Sequence, residues 1–422
     1  MHSVTNAIPT GTIASIPAKA HAHRALICAA LANSPSTILL SRTSKDIDAT
    51  MESLRGLGAH VVYENKVVTV TPGPVPAKGN VVPHESGTTL RLLLPVAASI
   101  CNDVDVDAKG RLPDRPLEPM LSEMKAHGVT FSQDKPPFTM MGRLQGGNFS
   151  MVGDVSSQFF SGLLLAAPQI GLSTITSTTP LQSSDYVTLT TETMRDFGVE
   201  VEHTLPDTNI NEAFTVPFGA SFIGRDNYQI EGDWSNAAIW MVAAGMTGKP
   251  ITITGMNKNS VQADRRIMQV MIDVGCDVVW DGMNVKVTGR ASKPIHADLE
   301  QMPDMLPVMA TLACSISGES SFIKGARLRL KESDRLIAVA NLVRDLGGTV
   351  REEGDDLYII GSGILKGGHG DCVNDHRLVM AGTLMALISE NPVTLKDSEA
   401  ITKSYPDFFE DWNLLGGDAH GI

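Results

Sequence analysis

The sequence predicts an α/β protein made of two domains, each with three repeated units. Three observations lead to this prediction. A chain of 422 residues is long enough for two cores, a helix that ends in glycine and runs into a short strand recurs along it, and several of these strands are followed by a tight turn and another strand. The repeated glycines are Gly58, Gly128, Gly198, Gly275, Gly348 and Gly416, at intervals of 70, 70, 77, 73 and 68 residues. So steady a period indicates one supersecondary unit used six times.

Each repeat alternates helices with strands. The glycine fits the position just after a helix, where the backbone is left-handed and a side chain would be strained. Two strand pairs are the clearest: residues 278–287 turn at Asp281-Gly282, and residues 350–360 turn around Gly354-Asp355. Alternation of this kind is typical of an α/β architecture.

The longest interval predicts the domain boundary. It separates the third and fourth glycines and contains the polar stretch 224–232. We therefore place the domain crossing in this interval, with three units on each side. The expected domains are residues 17–231 and a second, discontinuous domain that combines residues 1–16 with residues 232–422.

Composition and charge exclude several function classes. Hydrophobic residues at 42 % and charged residues at 19 % are typical of a globular protein, and a formal charge of −13 disfavours nucleic acid and anionic membranes as partners. The five scattered cysteines form no C-x-x-C pair, which indicates a reducing cytosol and no structural metal. No apolar run reaches the roughly 18 residues of a membrane helix. Ala25–Ala32 is similar to a signal-peptide core but is short, so we expect a cytoplasmic protein.

A charged cluster at residues 329–335 precedes an amphipathic helix predicted for residues 336–346. Ser333 or Asp334 would cap that helix. Two cations, Lys331 and Arg335, and a carboxylate at a helix start suit a small anionic ligand on which a proton is also moved. The alternative is a capping box with a solvated salt bridge.

Four further polar clusters share one position, the start of a predicted repeat helix. For each of them, plain helix capping or an ordinary surface is the alternative. The clusters are Lys19 and Arg24 before a helix at residues 25–31, Gly87 in the segment 85–91 before residues 92–98, Arg115 in the proline-fixed and extended segment 111–116, and Ser156, Ser157 and Gln158 before residues 163–167.

These motifs closely resemble the EPSP synthase family of enolpyruvyl transferases when they are combined with Asn374-Asp375-His376-Arg377 and with the segment 403–409. The resemblance runs from Lys19 to Phe409. It implies two domains of three βαβαββ units each, every domain an inside-out α/β barrel, with the active site in the interdomain cleft, which closes on ligand. The implied reaction transfers the enolpyruvyl group of phosphoenolpyruvate to the 5-hydroxyl of shikimate 3-phosphate and releases phosphate. No metal and no organic cofactor is implied.

The resemblance also implies a role for individual residues. Asp304 would be the base for the acceptor hydroxyl, and Glu332 and Lys19 would be the acid–base groups for the methylene carbon and for phosphate loss, with His376 nearby. Phosphoenolpyruvate would be held by Lys19, Gly87, Arg115, Gln158, Arg335, Arg377 and Lys403. Shikimate 3-phosphate would be held by Lys19, Ala20, Arg24, Ser156, Ser157, Gln158, Ser183, Tyr186, Asp304 and Lys331.

The sequence departs from the family pattern at a few positions. Ala20 stands where the family has a serine that contacts the shikimate, and Arg327 stands where Asn or Glu is usual, so no role is carried over to Arg327. Glu85 replaces the more frequent Asn.

Two alternatives follow from these departures. One is an enolpyruvyl transferase for a different acceptor alcohol, although the nucleotide-sugar branch uses a loop cysteine that the segment 111–115 lacks. The other is a binder of phosphorylated acids with impaired catalysis. The expected partners are the two small substrates, and the expected assembly is a monomer.

Overall fold

The structure is a computed structural model that describes residues 1–207 and 211–422. The chain divides into two compact units. The contiguous unit is Pro17–Ile230, and the discontinuous unit combines Met1–Ile16 with Glu231–Ile422.

The described residues form 24 strands and 12 α-helices. The strands are β1 (His2–Val4), β2 (Gly11–Ala14), β3 (Ser36–Leu39), β4 (His60–Glu64), β5 (Val67–Thr71), β6 (Gly79–Val81), β7 (Asp103–Val106), β8 (Thr130–Phe131), β9 (Phe138–Met141), β10 (Gly147–Met151), β11 (Ser173–Ser177), β12 (Glu202–Thr204), β13 (Ala213–Val216), β14 (Tyr228–Gln229), β15 (Ile251–Thr254), β16 (Asp277–Asp281), β17 (Asn284–Thr288), β18 (His296–Asp298), β19 (Gly318–Ile323), β20 (Thr349–Glu353), β21 (Asp356–Gly361), β22 (Gly368–Asp371), β23 (Val393–Lys396) and β24 (Ala419–Gly421). The helices are α1 (Lys19–Ala30), α2 (Lys45–Gly56), α3 (Gly87–Ile100), α4 (Met120–Ala126), α5 (Ser157–Ala166), α6 (Asp185–Asp196), α7 (Trp234–Thr247), α8 (Ile267–Asp273), α9 (Leu306–Cys314), α10 (Arg335–Asp345), α11 (His376–Ala386) and α12 (Phe408–Leu414).

The contiguous unit holds three four-stranded sheets of one topology. Their strand orders are β14-β3-β5-β4, β6-β7-β9-β8 and β10-β11-β13-β12. In each sheet the first two strands are parallel and the last two form a hairpin, as a βαβαββ unit requires. The first unit takes its edge strand, β14, from the far end of the same segment.

The discontinuous unit repeats the topology with strands from both ends of the chain. Its sheets are β16-β17-β15-β2, β18-β19-β21-β20 and β22-β23-β1-β24. Strand β2 pairs in parallel with β15, and β1 lies between β23 and β24 with antiparallel bonds to both. The predicted fold class, two domains of three βαβαββ units, is confirmed.

The core of each unit is formed around three helices that contact one another. They are α1, α3 and α5 in the contiguous unit and α7, α9 and α11 in the discontinuous unit. Every residue of α9 is buried, and α5 and α11 each have one residue that is not, Gln158 and Arg377. Helices apolar on all sides pack inside a unit, because water is excluded from every face. In α5 and α11 the first turn is polar, and its one accessible residue, Gln158 or Arg377, is left for a ligand.

The observed element boundaries differ from the predicted ones in several places. Helices α3 and α5 begin at Gly87 and Ser157, five and six residues before the apolar segments predicted at 92–98 and 163–167, because their polar caps already lie in the first turn. Helix α1 begins at Lys19, six residues earlier than expected, because the alanines among residues 18–25 favour helix. Residues 112–114 form a short 3-10 turn, since the fixed φ of Pro113 suits a helical first turn, and extended backbone begins only at Arg115. In the fifth repeat the glycine with positive φ is Gly347, at 88°, and not Gly348.

The remaining repeat glycines behave as predicted. Gly58, Gly128, Gly198, Gly275 and Gly416 have φ angles between 89° and 104°. Among residues 1–207 and 211–422, no helix combines the length and apolarity that crossing a bilayer demands.

Candidate active site

The first turn of α1 carries Lys19 and Ala20. The Lys19 Nζ donates to Asp46 Oδ2 at 2.7 Å, and both side chains are largely buried. The backbone carbonyl of Asp46 in turn accepts from the hydroxyl of Thr89 at 3.2 Å, in the first turn of α3. Lys19 is therefore tied to the starts of two further helices, α2 and α3.

Arg24 is a buried cation with neutral partners. Its side chain donates to Thr190 Oγ1 at 2.7 Å, to the carbonyl of Ala20 at 2.7 Å, to the carbonyl of Tyr186 at 2.9 Å and to Ser161 Oγ at 3.3 Å. Among the described residues no carboxylate pairs with it. Burial lowers the pKa of Arg24 to about 10, which still leaves it charged at neutral pH. A buried charge is stable when an opposite charge lies near, so this helix start is prepared for an anion.

The start of α3 approaches Arg115 closely. Ser86 caps the helix by accepting from the backbone N–H of Thr89 at 3.2 Å, and Gly87 is the first helical residue. A Cβ on Gly87 would lie 2.5 Å from Arg115 Nη1. The glycine is therefore needed for close approach, and it leaves the guanidinium over the positive end of a helix, where an anion can bind both.

The start of α5 is joined to α3 through Gln158. Its Nε2 donates to Thr88 Oγ1 at 2.9 Å, and its Oε1 accepts from Arg91 Nη1 at 3.1 Å. Ser156 caps α5 by accepting from the Gln158 N–H at 3.3 Å, and Ser157 is the first helical residue.

Two further residues predicted to bind substrate, Ser183 and Tyr186, lie near the start of α6. Ser183 is buried and has a positive φ of 54°, a conformation uncommon for a residue with a side chain. Tyr186 contributes its carbonyl oxygen to Arg24. Within the contiguous unit, the predicted residues therefore group at helix starts.

Arg335 is the centre of the charged cluster in the discontinuous unit. It is 1 % exposed, and its guanidinium contacts Asp304 Oδ1 at 2.7 Å, Glu332 Oε2 at 2.6 Å and Asp375 Oδ2 at 2.9 Å. Despite burial, Asp375, Glu332 and Asp304 raise the pKa of Arg335, so it stays charged. Asp334 caps α10 by accepting from the N–H of Ile337 at 3.3 Å, which decides between the two predicted caps.

Asp304 lies in a 3-10 turn just before α9 and contacts three cations. Besides Arg335, these are Lys331 Nζ at 3.1 Å and Arg377 Nη2 at 3.6 Å. Burial opposes ionisation, but Lys331, Arg377 and Arg335 together hold the pKa of Asp304 well below its usual range. Burial lowers the pKa of Lys331 to about 8, and Asp304 limits that decrease.

The start of α11 carries His376 and Arg377. Asp375 caps this helix by accepting from the Arg377 N–H at 3.0 Å, and Arg377 Nη1 donates to the carbonyl of Asp304 at 3.1 Å. His376 is buried, with its Nδ1 4.0 Å from Asp375 Oδ1. Lys403 Nζ donates to the carbonyl of Asn374 at 2.8 Å, so it adds a cation to the same helix start.

Sequence reasoning missed several residues that hold these side chains. The motif at residues 374–377 predicts no role for Asp375, yet this residue is fully buried and binds both Arg335 and the Ser333 hydroxyl. Asp46 and Arg91 were also missed as partners of Lys19 and Gln158. Their position at a helix start was the one available signal, because the partners are distant in sequence.

No group of three or more His, Cys, Asp or Glu side chains suited to a metal ion occurs in the described ranges of the chain. All five cysteines are buried and unpaired thiols.

Six βαβαββ units, with cations, carboxylates and hydroxyl groups at the starts of their buried helices, define an α/β protein whose helix starts suit small, multiply charged anions. Comparison with known proteins narrows this class. The chain belongs to the EPSP synthase (3-phosphoshikimate 1-carboxyvinyltransferase) family, whose sequence model matches residues 7–412. The predicted family membership is confirmed.

Relatives match over nearly the full chain. The 3-phosphoshikimate 1-carboxyvinyltransferase of Clostridium kluyveri is 36 % identical over 413 residues, covering 97 % of this chain and 95 % of that protein. The protein of the same name from Methanocorpusculum labreanum is 35 % identical over 418 residues and covers 97 % of both chains. The solved structure of EPSP synthase from Acinetobacter baumannii has a TM-score of 0.81 at 23 % identity, covering 100 % of this chain and 99 % of that one, which supports the fold.

Proposed function

We propose that this chain transfers the enolpyruvyl group of phosphoenolpyruvate to the 5-hydroxyl of shikimate 3-phosphate and releases phosphate. Family membership over residues 7–412 carries the proposal, and the two sets of buried cations at helix starts fit it. Both substrates combine a phosphate with a carboxylate, and such groups bind best to charged donors and helix N-termini. The product belongs to aromatic amino-acid biosynthesis through chorismate.

The acceptor's phosphate suits the helix starts of the contiguous unit. Ser156 and Ser157 offer a hydroxyl and backbone donors, and Arg24 supplies a positive charge that no described carboxylate neutralises. In the proposal Lys19, Ala20, Gln158, Ser183 and Tyr186 line the rest of this subsite, and Asp304 and Lys331 contact the ring substituents.

In the proposal, phosphoenolpyruvate, the donor substrate, binds to the cations at the starts of α3 and α11. Arg115 and Gly87 present a guanidinium over a helix start, and Arg377 and Lys403 flank the start of α11. With Lys19, Gln158 and Arg335 they form the proposed phosphoenolpyruvate set.

Asp304 is the proposed general base. It removes the proton of the 5-hydroxyl as that oxygen bonds to C2 of phosphoenolpyruvate, while C3 gains a proton from Glu332 or Lys19. The group that gave the proton, Glu332 or Lys19, then takes a proton back from C3 as the C2–O bond to phosphate breaks, which releases phosphate and restores the double bond, with His376 nearby. A base so strongly paired is weak, and anionic substrates that compete for Lys331 and Arg377 make it stronger.

The competing function is transfer to a different acceptor alcohol. Ala20 favours it, because a methyl group stands where a hydroxyl would meet the ring. The backbone carbonyl of Ala20 already accepts a hydrogen bond from Arg24 Nη1 at 2.7 Å.

The test is phosphate release from the purified protein with each substrate omitted in turn. The proposal expects release when both substrates are present, a product whose mass is that of the enolpyruvyl ether, and full activity in a chelator. Release that needs no shikimate 3-phosphate, or that a chelator abolishes and a divalent ion restores, would contradict it. We further propose a cytoplasmic monomer, which size-exclusion chromatography with light scattering tests.

A further inference from the structure

A buried carboxylate, Asp264, lies beside the proposed donor subsite. It is in a short 3-10 turn, Ala263–Arg266, that leads into α8, and it is 1 % exposed. One of its oxygens, Oδ2, accepts a short hydrogen bond from the hydroxyl of Ser235. No residue in the described part of the chain donates to its other oxygen, Oδ1.

Ser235 connects Asp264 to Arg377. It is the second residue of α7, and its Oγ accepts from Arg377 Nη2 at 3.4 Å. A serine hydroxyl has one proton and two acceptor lone pairs, so a proton directed at Asp264 leaves the lone pairs directed at the guanidinium. Because Arg377 also donates to the carbonyl of Asp304, its guanidinium is held from two sides.

The segment that carries Asp264 is braced against the start of α7. Glu231 accepts from Asn257 Nδ2 at 2.8 Å, from the Ser260 hydroxyl at 2.8 Å and from Gln262 Nε2 at 2.7 Å. The Gln262 Oε1 accepts in turn from the N–H of Trp234, the first residue of α7. These bonds fix the segment that leads into the turn, up to Gln262, so Asp264 two residues later is held close to Ser235.

Helix capping does not explain why Asp264 is buried. The cap of α7 is Asp233, which accepts from the Asn236 N–H at 2.8 Å. Burial raises the pKa of Asp264 to about 6, and the charge of Arg377 opposes that rise. A buried carboxylate with one hydroxyl partner destabilises a fold, and groups of this kind concentrate where a protein uses them.

We propose that Asp264 is a positioning residue that orients Arg377 through Ser235, and so sets the affinity for the anionic donor substrate. The proposal rests on the proposed function, in which Arg377 binds phosphoenolpyruvate. It adds a residue that does not touch the substrate.

The first test is Asp264→Asn, which keeps the shape of the side chain and removes its charge. An amide that donates to Ser235 would turn the hydroxyl proton toward Arg377. It would thereby break the hydrogen-bond relay from Asp264 through Ser235 to Arg377. The matched control is Asp411→Asn, because Asp411 is also buried in this unit and accepts one hydroxyl bond, from Tyr405 at 2.6 Å.

For Asp264→Asn we expect the KM for phosphoenolpyruvate to rise at least about fivefold. The KM for shikimate 3-phosphate should stay within about twofold and kcat within about threefold. Asp411→Asn should leave both KM values near those of the unmodified protein. Equal KM values for the two variants would overturn the proposal, because a purely structural role predicts the same small change in both.

The second test asks whether Asp264 acts through the hydroxyl. Ser235→Ala should raise the KM for phosphoenolpyruvate, and the double variant should lie within about twofold of the larger single effect. If the KM increases of the two single variants multiply in the double variant, Asp264 does not act through Ser235 and the proposal is overturned. If Asp264→Asn does not fold, Ser235→Ala still tests the proposal. An unchanged KM for phosphoenolpyruvate in Ser235→Ala would contradict it. If the unmodified protein releases no phosphate with both substrates, the proposed function fails instead.

Discussion

At the scale of single residues, the surroundings of Asp304 decide how it acts. Asp304→Asn keeps the size of the side chain but removes the negative charge that Arg335, Lys331 and Arg377 share. We expect kcat to fall by at least ~10²-fold with both KM values changed much less, as for loss of a general base. Steady-state kinetics test this. Asp298→Asn, an exposed aspartate paired with Lys324 at 2.7 Å in the same unit, is the control. Near-normal turnover in Asp304→Asn would show that another group is the base.

Lys331 gives a prediction about pH. Burial lowers its pKa to about 8, so the free protein loses this positive charge as the pH rises through 8. The substrate phosphate is already fully ionised there, because its second pKa is about 6. We expect kcat/KM for shikimate 3-phosphate to decline above about pH 8 at saturating phosphoenolpyruvate. Lys331→Arg should move that decline to higher pH, since a guanidinium stays charged. The same profile in both proteins would exclude Lys331 as its source.

A substitution at Ala20 distinguishes the two candidate acceptors, shikimate 3-phosphate and a different alcohol. Ala20→Ser supplies a hydroxyl worth roughly 0.5–1.5 kcal/mol as one hydrogen bond to a polar ligand. If shikimate 3-phosphate is the acceptor, its KM should fall about 2- to 10-fold, with little change for phosphoenolpyruvate. An absence of any gain, together with no calorimetric binding of shikimate 3-phosphate to the unmodified protein, would favour the different acceptor alcohol.

At the scale of elements, helix starts hold the proposed site, and Gly87 tests this. A Cβ added by Gly87→Ala would lie 2.5 Å from Arg115 Nη1, so the flexible guanidinium must move away. We expect weaker phosphoenolpyruvate binding, with KM raised about 10-fold, and a free energy of unfolding changed by less than about 1 kcal/mol. Gly421→Ala is the control, because nothing lies within 4 Å of its added Cβ. An unchanged KM for Gly87→Ala would remove Arg115 from the donor subsite.

The sequence predicted these helix starts because their signals are local. Capping residues such as Ser86, Ser156 and Asp334 lie next to the helical turns they begin, and Asp334 is one of the two caps predicted for α10. The partners of Arg335 could not be predicted in this way. Asp304 lies 31 residues away and Asp375 40 residues away, and folding rather than spacing brings them to one guanidinium. The relay from Asp264 was missed for the same reason.

At the scale of the whole molecule, the two units differ in continuity. Residues 17–230 have a hydrophobic core of their own and sheets complete within the segment. Residues 231–422 lack β1 and β2, and β24 pairs with β1. The sixfold period predicted the repeats. It could not predict that β14 and β1 complete the first and last sheets, because those strands are too short to give a periodic signal and pair far along the chain.

Fragments test this difference. We expect residues 17–230 alone to unfold cooperatively in denaturant, as an independent domain does. Residues 231–422 alone should show no cooperative transition. A permuted chain, in which residues 1–16 follow residue 422 through a short Gly/Ser linker, should recover one, because the Ile422 N–H donates to the Met1 carbonyl at 3.2 Å. Cooperative unfolding of residues 231–422 without the first strands would show that β1 and β2 are dispensable.

The position of β1 between β23 and β24 has a consequence for biosynthesis. A ribosome adds about 5–20 residues per second, so roughly 20–80 s separate the synthesis of β1 from that of β24. During this time the contiguous unit can complete its sheets, while β1 and β2 have not yet paired with all of their partner strands. Val4 in β1 and Ile13 in β2 are buried only in the finished protein. The order of translation therefore makes the discontinuous unit the last to close, and a nascent chain that stops before residue 419 leaves β1 without one of its two neighbours.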